Sequence, residues 1–233
     1  MIRKIFRKLK NYYYHSSNER FGYYLKKKGV QIGNGCVFRP QSTLIDLTRP
    51  SLVTIGDNCY FNENFTLLTH DWVTRIFIYS EREFIPSSGR VIIGNNVSTG
   101  LNVMILKGVE IGDNVFIGAN SVVTNDIPAN SIAVGAPARV ICSLDAYYEK
   151  RKKDCINEAL DYARSIKERY GRNPVTTDFW EEFPLFVSGD QVDVYPELKD
   201  IIKRQLGPSY EKYITNHKAY FNGFEEFIKA TQI

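Results

Sequence analysis

A six-residue repeat dominates the middle of the chain, between residues 93 and 140. Six successive units mostly begin with a branched residue and carry a small or branched residue at the fifth position. The first positions are Ile93, Thr99, Ile105, Ile111, Ile117 and Val123, and the fifth positions are Val97, Val103, Val109, Val115, Ser121 and Ile127. This period fits neither a helix nor a simple alternating strand. It predicts a solenoid whose stacked repeats share one core.

The same period occurs earlier in the chain, where it is broken twice. Hexads begin at Ile32 and Ile55, the segment 44–49 is irregular, and residues 71–90 interrupt the unit that begins at Leu67. Each hexad is expected to supply one short strand and a corner, so that three hexads close a triangular coil. Adjacent coils then pair through backbone hydrogen bonds at a spacing of about 4.8 Å. The length of the repeat region predicts about five coils.

Helical patterns follow the repeat. Leu144 to Tyr170 has the periodicity of a long amphipathic helix, and two more helices are predicted over residues 195–206 and 209–228. The predicted fold class is mainly β. Its parts are an N-terminal helical segment at residues 1–29, a parallel β-helix at 30–143 with an excursion loop at 71–90, and a C-terminal helical extension at 144–233.

The first 29 residues are basic and helical in pattern. The segment Ser16–Glu19 supplies a break and an N-cap, and Gly29 is predicted to end the second helix. Two groups of basic residues stand out, Arg3, Lys4, Arg7, Lys8 and Lys10 at the start and Lys26, Lys27 and Lys28 at the end, and an apolar stripe is formed by Ile2, Ile5, Phe6 and Leu9. Three interpretations stay open: a solvated face, a helix docked on its own protein, or contact with an anionic membrane surface or polyanionic glycan.

The composition is that of a globular protein, with 43% hydrophobic and 24% charged residues. The net charge of +4 is too small to indicate nucleic-acid binding. No apolar run of about 18 residues is present, so no membrane span is expected. The N-terminus lacks the apolar region and cleavage site of a secretory signal, which favours a cytoplasmic location.

The four cysteines form no C-x-x-C pair. Cys36 and Cys59 occupy fifth positions of hexads, where a small buried side chain is required. We expect them to be inert core thiols in a reducing compartment. The β-helix region contains a single histidine, His70, whereas a zinc site of this fold needs three, so no metal is expected.

The segment 111–141 resembles the hexapeptide-repeat acyltransferases. The resemblance is carried by Gly-Ala-x-Ser-Val-Val-Thr-x-Asp-Ile-Pro at 118–128 and Gly-x-Pro-Ala-Arg at 135–139. It covers residues 30–141 and is greatest to sugar and polysaccharide O-acetyltransferases of the maltose, galactoside and xenobiotic acetyltransferase group. The resemblance implies a left-handed parallel β-helix, a homotrimer, acetyl-CoA as donor and an active site between neighbouring subunits.

His70 is the candidate general base. Transfer of an acyl group from a thioester to a hydroxyl requires removal of the hydroxyl proton, and an imidazole accepts protons near neutral pH. The resemblance places the family's catalytic histidine at this position, directly before the excursion loop. Asp71 is a second candidate, either orienting the imidazole or binding the acceptor. A backbone carbonyl is the alternative orienting group.

The acceptor candidates lie on the same coil as His70 and in the excursion loop. They are Asn62, Asn64, Trp72 and Arg75. Aromatic and charged side chains on a loop suit a sugar ring, although the loop would equally cover a neighbouring subunit. Relatives often carry an asparagine near the acceptor in the preceding coil, where this chain has Arg39 or Gln41.

The resemblance also assigns residues to the donor. A backbone N–H in the stretch 98–100 would stabilise the oxyanion, and the pantetheine arm would run along later coils. The donor candidates are Ser98, Gly100, Gly118, Ala119, Ser121, Thr124 and Arg139. Arg139 matches the basic residue that meets the CoA phosphates, and Lys107 is a further candidate cation. Relatives have a tryptophan in place of Ser98 and often a lysine in place of Asn125.

These observations lead to one function and two alternatives. The hypothesis is an acetyl-CoA-dependent O-acetyltransferase that acts on a sugar or surface-polysaccharide precursor. One alternative is N-acetylation of an amino-sugar nucleotide, although residues 1–29 are too few for the nucleotide-binding domain of such relatives. The other alternative is a β-helix subunit without catalytic activity.

Overall fold

The structure is a computed structural model that describes residues 12–232. This part of the chain divides into two compact units, with the boundary after Tyr148. The helix predicted to begin near residue 1, with its apolar stripe, lies largely outside the described residues. No helix within residues 12–232 is long and apolar enough to cross a membrane.

Helix α1 spans Asn18–Lys28, as predicted. The Ser17 hydroxyl accepts a hydrogen bond from the backbone N–H of Arg20 (3.3 Å) and caps the N-terminus. Gly29 ends the helix at φ 106°, a left-handed conformation that glycine adopts without steric cost. Buried Phe21 packs the helix onto the β-helix core.

Short strands make up the remainder of the first unit. They are β1 (Gln31–Ile32), β2 (Leu44–Ile45), β3 (Val53–Ile55), β4 (Thr66–Leu67), β5 (Val91–Ile93), β6 (Ser98–Thr99), β7 (Met104–Ile105), β8 (Glu110–Ile111), β9 (Phe116–Ile117), β10 (Val122–Val123), β11 (Ser131–Gly135) and β12 (Ala138–Ser143). A short helix, α2 (Thr74–Tyr79), lies between β4 and β5 in the excursion loop.

The strands form three sheets of four strands each. Sheet I is β1-β3-β5-β8, sheet II is β6-β9-β11-β12, and sheet III is β2-β4-β7-β10. All pairings are parallel except the antiparallel hairpin of β11 and β12. Val37 and Tyr60 continue sheet II into the first two coils through isolated bridges. The chain passes through sheets I, II and III in turn, which makes the unit a parallel β-helix.

The register of the strands locates the two irregular segments. Ile105 and Ile111, which end neighbouring strands of sheets III and I, are six positions apart. The equivalent pairs in the preceding coils are Ile45 and Ile55, ten positions apart, and Leu67 and Ile93, twenty-six positions apart. The chain therefore has four extra residues between Ile45 and Ile55 and twenty between Leu67 and Ile93. Both insertions lie at the same corner, between sheet III and sheet I.

The side chains at the first and fifth positions of the hexads point into the core. First-position residues from Ile93 to Val123 are at most 2% exposed, and fifth-position residues from Val97 to Ile127 at most 4%. Each fully buried aliphatic side chain stabilises the folded state by roughly 1.5–3 kcal/mol. Cys59 is buried in the same column and Cys36 is half-buried.

Two corners of the β-helix carry ladders of asparagine side chains. These residues adopt left-handed backbone conformations with φ between 55° and 59°, which asparagine tolerates better than most residues. Within each ladder, every amide except the last donates a hydrogen bond to the asparagine one coil further along. The ladders are Asn58–Asn96–Asn114–Asn130 and Asn64–Asn102–Asn120.

The second unit is helical and has its own aromatic core. Helix α3 spans Leu144–Tyr170, as predicted, and is followed by α4 (Pro196–Leu206), α5 (Tyr210–Asn216) and α6 (Phe224–Ala230), with short 3₁₀ turns between α3 and α5. Phe179, Phe186 and Phe227 are fully buried at its centre.

The prediction of one helix over residues 209–228 is wrong. The chain leaves the helical conformation at His217 and resumes it at Phe224. In between, the backbone N–H groups of Ala219 and Phe221 donate to Ser188 Oγ (3.0 Å) and to the carbonyl of Leu185 (2.8 Å). Tertiary partners thus replace the hydrogen bonds that a continuous helix would have made.

Candidate active site

His70 lies at the corner that follows strand β4, directly before the excursion loop. Its side chain is 16% exposed, and the preceding residue, Thr69, is fully buried. The backbone carbonyl of Thr69 accepts a hydrogen bond from the N–H of Gly89 (2.9 Å), and His70 pairs with Ser88 across the base of the loop. The imidazole therefore projects from a backbone that is held on both sides.

The partner of the imidazole is Asp46, one coil earlier. His70 Nδ1 lies 2.6 Å from Asp46 Oδ2. Thr48 Oγ1 lies 3.4 Å from the same nitrogen and donates a hydrogen bond to Asp46 Oδ1 (2.7 Å). Because the carboxylate accepts, Nδ1 carries the proton, and Nε2 keeps the lone pair that a general base needs.

Asp46 is held as a carboxylate despite its burial. Its side chain is 5% exposed, and this burial opposes ionisation. The Thr69 hydroxyl and backbone N–H, the Thr48 hydroxyl and backbone N–H, and the His70 imidazole all donate to it. Together these hydrogen bonds outweigh desolvation and hold the pKa of Asp46 well below its usual range.

Asp71 has other partners than the imidazole. Its carboxylate accepts hydrogen bonds from Ser87 Oγ (2.8 Å) and from the backbone N–H of Val73 (3.1 Å), and it pairs with Lys107 Nζ at 3.2 Å. These contacts lower its pKa, with the Ser87 hydrogen bond as the main cause. Asp71 thus ties the start of the excursion loop to its end and to the next coil, whereas Asp46 orients His70.

Two of the four acceptor candidates lie in the excursion loop. The Trp72 ring is 63% exposed and its centroid lies 6.0 Å from that of His70 in an edge-on arrangement. Arg75, on α2, donates a hydrogen bond to Tyr79 Oη (3.2 Å) and lies over the Tyr79 ring. The structure therefore brings Trp72 to the imidazole and directs Arg75 to a neighbouring aromatic ring.

The other two acceptor candidates lie at a different corner, between sheets II and III. Asn62 accepts a hydrogen bond from the backbone N–H of Glu63 (2.9 Å), and Asn64 donates its amide to Asn102 in the ladder (2.8 Å). Arg39, one coil earlier, hydrogen-bonds to Tyr60 and lies over its ring, with its Cζ 5.4 Å from the ring centroid.

The donor candidates follow sheet II. Ser98 lies within β6, Gly100 follows it, and Gly118 and Ala119 follow β9 in the next coil. A Cβ atom at Gly100 would come within 2.5 Å of the backbone nitrogen of Ala119, so this close approach of two coils requires glycine. In one chain these residues and His70 stand at different corners of the triangle.

The remaining donor candidates differ in exposure. Ser121 is fully buried; its hydroxyl donates to the carbonyl of Gly118 (2.7 Å) and accepts from the N–H of Gly135 (3.0 Å). Ser121 thereby links the corner of its coil to the β11–β12 hairpin. Thr124 is exposed after β10, and Arg139 is exposed on β12, where its guanidinium donates to the carbonyl of Ala138 (2.9 Å).

Asp46 and Thr48 were not among the site residues predicted from the sequence. Both lie in the irregular segment after strand β2, where the hexad period no longer predicts which coil position a residue occupies. The sequence feature that could have pointed to them is an Asp-x-Thr sequence within an insertion at a corner. Among residues 12–232, no cluster of three or more His, Cys, Asp or Glu side chains has the arrangement of a metal site.

Comparison with known proteins agrees with this architecture. A family model described as bacterial transferase hexapeptide (six repeats) matches residues 90–125. Protein CapG of Staphylococcus aureus is 40% identical over 142 residues, which cover 61% of this chain and 79% of that protein. Galactoside O-acetyltransferase of Escherichia coli is 39% identical over 119 residues, 51% of this chain and 56% of the relative.

Solved structures of the same kind are also similar. A maltose O-acetyltransferase from Clostridium difficile has 29% identity and a TM-score of 0.42, with 58% of this chain and 83% of that chain covered. A galactoside acetyltransferase in complex with coenzyme A has 27% identity and a TM-score of 0.41, with coverages of 61% and 80%. The hexapeptide period and the identity to CapG over most of its length define the class: the chain belongs to the hexapeptide-repeat acetyltransferases, which are acyltransferases.

Proposed function

We propose that this protein is an acetyl-CoA-dependent O-acetyltransferase that transfers an acetyl group to a hydroxyl of a sugar or surface-polysaccharide precursor. The observation that carries the proposal is the 2.6 Å contact between His70 Nδ1 and Asp46 Oδ2 on a rigid corner of the β-helix. Relatives named galactoside and maltose O-acetyltransferase support the class of acceptor.

The proposed reaction uses His70 first as a base and then as an acid. Nε2 accepts the proton of the acceptor hydroxyl while the oxygen attacks the thioester carbonyl carbon. The resulting imidazolium is stabilised by Asp46, which receives the Nδ1–H hydrogen bond. When the tetrahedral intermediate collapses, the C–S bond breaks, the sulfur of CoA takes the proton from Nε2, and the acetyl ester leaves with the acceptor.

The donor would lie along sheet II. The backbone N–H groups of Ser98 and Gly100 already donate to the carbonyls of Val115 (2.9 Å) and Ile117 (2.7 Å), so these residues would line the donor groove and would not supply the oxyanion donor that the sequence predicts at 98–100. The pantetheine arm would pass exposed Ala119, and exposed Arg139 would meet the phosphates. Gly118 is buried, and a Cβ atom there would come within 2.6 Å of the Val134 side chain, so Gly118 would act by allowing the two coils to pack closely. Thr124 stays a candidate contact, and Ser121 would act by shaping the coil.

The separation of the two half-sites within one chain supports a homotrimer. His70 stands between sheets III and I, and the proposed donor groove follows sheet II. If each subunit offers His70 to the sheet II face of its neighbour, three equivalent sites close around a threefold axis. Membership of the hexapeptide-repeat family supports a left-handed β-helix, and the length of the repeat region supports about five coils.

Trp72 is the proposed acceptor platform, because an exposed indole beside the base suits stacking with a sugar ring. Arg75 would contribute to the pocket from the loop, whereas Asn62 and Asn64, at the corner between sheets II and III, would reach the acceptor from a neighbouring subunit. N-acetylation of an amino-sugar nucleotide uses the same base and is the second candidate. Product mass spectrometry with sugars and amino sugars separates the two.

Peripheral contact with an anionic surface is proposed for the N-terminal segment. Residues 1–29 contain nine Lys and Arg but only Glu19 as an acid, whereas the remainder of the chain has 21 basic and 25 acidic residues. Exposed Tyr12, Tyr13 and Tyr23 accompany these charges. Sedimentation with anionic vesicles tests this contact, and binding that is equal for neutral vesicles would argue against it.

The decisive test of the proposed function is His70→Ala. We expect turnover of acetyl-CoA with sugar acceptors to fall on the order of 10²–10⁴-fold, while acetyl-CoA still raises the melting temperature. His217→Ala, which removes a histidine bound to the Pro184 carbonyl in the second unit, is the matched control. Retention of activity within a few-fold in the His70 variant would rule out the base assignment, and no stabilisation of the wild type by acetyl-CoA would favour a non-catalytic β-helix.

A further inference from the structure

The four-residue insertion places an arginine beside the catalytic pair. Arg49 Nη1 donates a hydrogen bond to Thr48 Oγ1 (3.3 Å), and this oxygen lies 3.4 Å from His70 Nδ1. Two successive contacts therefore join the guanidinium to the imidazole. A corner of the regular length, such as the one after Ile105, has no residue that corresponds to Arg49.

The charge of Arg49 has no acidic contact in residues 12–232. Its one hydrogen bond in that range is to a neutral hydroxyl, and it takes part in none of the ion pairs found there. The two carboxylates of this corner are already bound, Asp46 by His70 and Asp71 by Lys107. The side chain is half-buried, so solvent screens it only in part.

We propose that Arg49 is the anion subsite of the acceptor, and that the acceptor is a sugar bearing a carboxylate or phosphate group. This inference rests on the proposed function, since it names the substrate class of the same site. A planar guanidinium binds carboxylate and phosphate oxygens in a bidentate manner. The Thr48 hydrogen bond orients the guanidinium, and the ring of the sugar would stack on Trp72 while its hydroxyl faces His70.

The chemistry of the reaction favours an anion at this position. Proton transfer makes His70 an imidazolium, and the corner then holds three cations, His70, Arg49 and Lys107, against the two carboxylates of Asp46 and Asp71. A negative group on the acceptor offsets the added charge and thereby favours the protonated state of the base. A neutral acceptor leaves this repulsion uncompensated.

The test measures binding without requiring turnover. Full-length protein labelled with ¹³C at histidine Cε1 is titrated with methyl glucuronide, glucose 6-phosphate and methyl glucoside, and the His70 resonance reports occupancy of the corner. We expect one of the two anionic sugars to bind on the order of tenfold more tightly than methyl glucoside. Which of them binds better distinguishes a carboxylate from a phosphate.

Substitutions assign the preference to Arg49. Arg49→Gln should remove the difference between anionic and neutral sugars, and Arg49→Lys should keep part of it, because the charge remains while the bidentate geometry is lost. Arg82→Gln, which removes an exposed arginine of the excursion loop, should preserve it. Equal affinities in the wild type, no shift of the His70 resonance with any of the sugars, or an unchanged preference in Arg49→Gln, would overturn the inference. A separate acetyl-CoA turnover assay shows whether the proposed function itself fails.

Discussion

Asp46 Oδ2 and His70 Nδ1 lie 2.6 Å apart although 24 positions separate the two residues in the chain. The β-helix brings them together because the corner that holds one stacks directly on the corner that holds the other. Replacing the carboxylate tests how much of the reaction depends on this contact.

Asp46→Asn should lower kcat on the order of 10²–10⁴-fold with little change in the KM for acetyl-CoA. The amide cannot stabilise an imidazolium, and its NH₂ group favours the wrong tautomer of His70. Steady-state kinetics measures this effect. Asp126→Asn is the control, since Asp126 also accepts a backbone N–H (from Glu110, 2.7 Å) between sheets III and I, but two coils beyond His70. Equal losses in both variants would assign Asp46 to the fold alone.

The hydroxyls around Asp46 set its titration. Because the pKa of this carboxyl lies below its usual range in the folded protein, its contribution to stability is present above about pH 4 and is lost as the pH falls further. Thr69→Val removes one donor and should raise the pKa of Asp46. The ¹³C shift of the carboxyl carbon, followed from pH 7 to pH 3, measures this directly. An ordinary Asp titration in the wild type would contradict the assignment.

Lys107→Met should loosen the excursion loop without unfolding the β-helix. The Asp71–Lys107 pair is partly exposed, with side-chain exposures of 43% and 33%, so its loss should change the overall stability little. Hydrogen exchange of residues 72–88 should accelerate, and the KM for the acceptor should rise more than kcat changes. Lys199→Met, which breaks an exposed pair with Asp193, is the control. Unaltered exchange in the loop would show that Asp71 does not anchor it.

The asparagine ladder separates two contributions to the stability of a corner. Asn114→Gly keeps the residue free to adopt φ 56° but removes hydrogen bonds to Asn96 and Asn130, a loss of roughly 1–3 kcal/mol. Asn114→Ala should lose about 1–2 kcal/mol more, because a Cβ disfavours the left-handed region. Denaturant unfolding of the two variants measures the difference. Equal stabilities would mean that the backbone conformation carries no cost here.

The regular parts of the molecule were predictable from the sequence because their signals are local. A branched residue every six positions defines the core columns from Ile93 to Val123, and the amphipathic period between Leu144 and Tyr170 defines helix α3 to the residue. Ser17 and Gly29 identify the ends of α1 for the same reason. In each case one short stretch contains all the information needed.

The partner of His70 was not predictable in this way. The segment after Ile45 breaks the period, so the stacking of Asp46 beneath His70 depends on how many residues the corner absorbs, which only the three-dimensional register reveals. Asp71 was one candidate for orienting His70 because it is adjacent in sequence, beside a backbone carbonyl as the alternative, yet adjacent residues point in different directions. The break in the helix at His217 has a similar origin, since its hydrogen bonds come from distant residues.

The two insertions at one corner make the acceptor side of the molecule separable from the regular coils, both for engineering and for divergence within this family. Apart from Thr69 and His70, the residues that distinguish this corner from one of regular length lie in two segments, residues 46–52 and 71–90, whose ends are fixed by paired strands on either side. We expect the exchange of these two segments between relatives to alter the choice of acceptor, while the stack of coils beneath them stays the same. On the proposed assignment of the donor to sheet II, the same exchange would leave donor recognition unchanged.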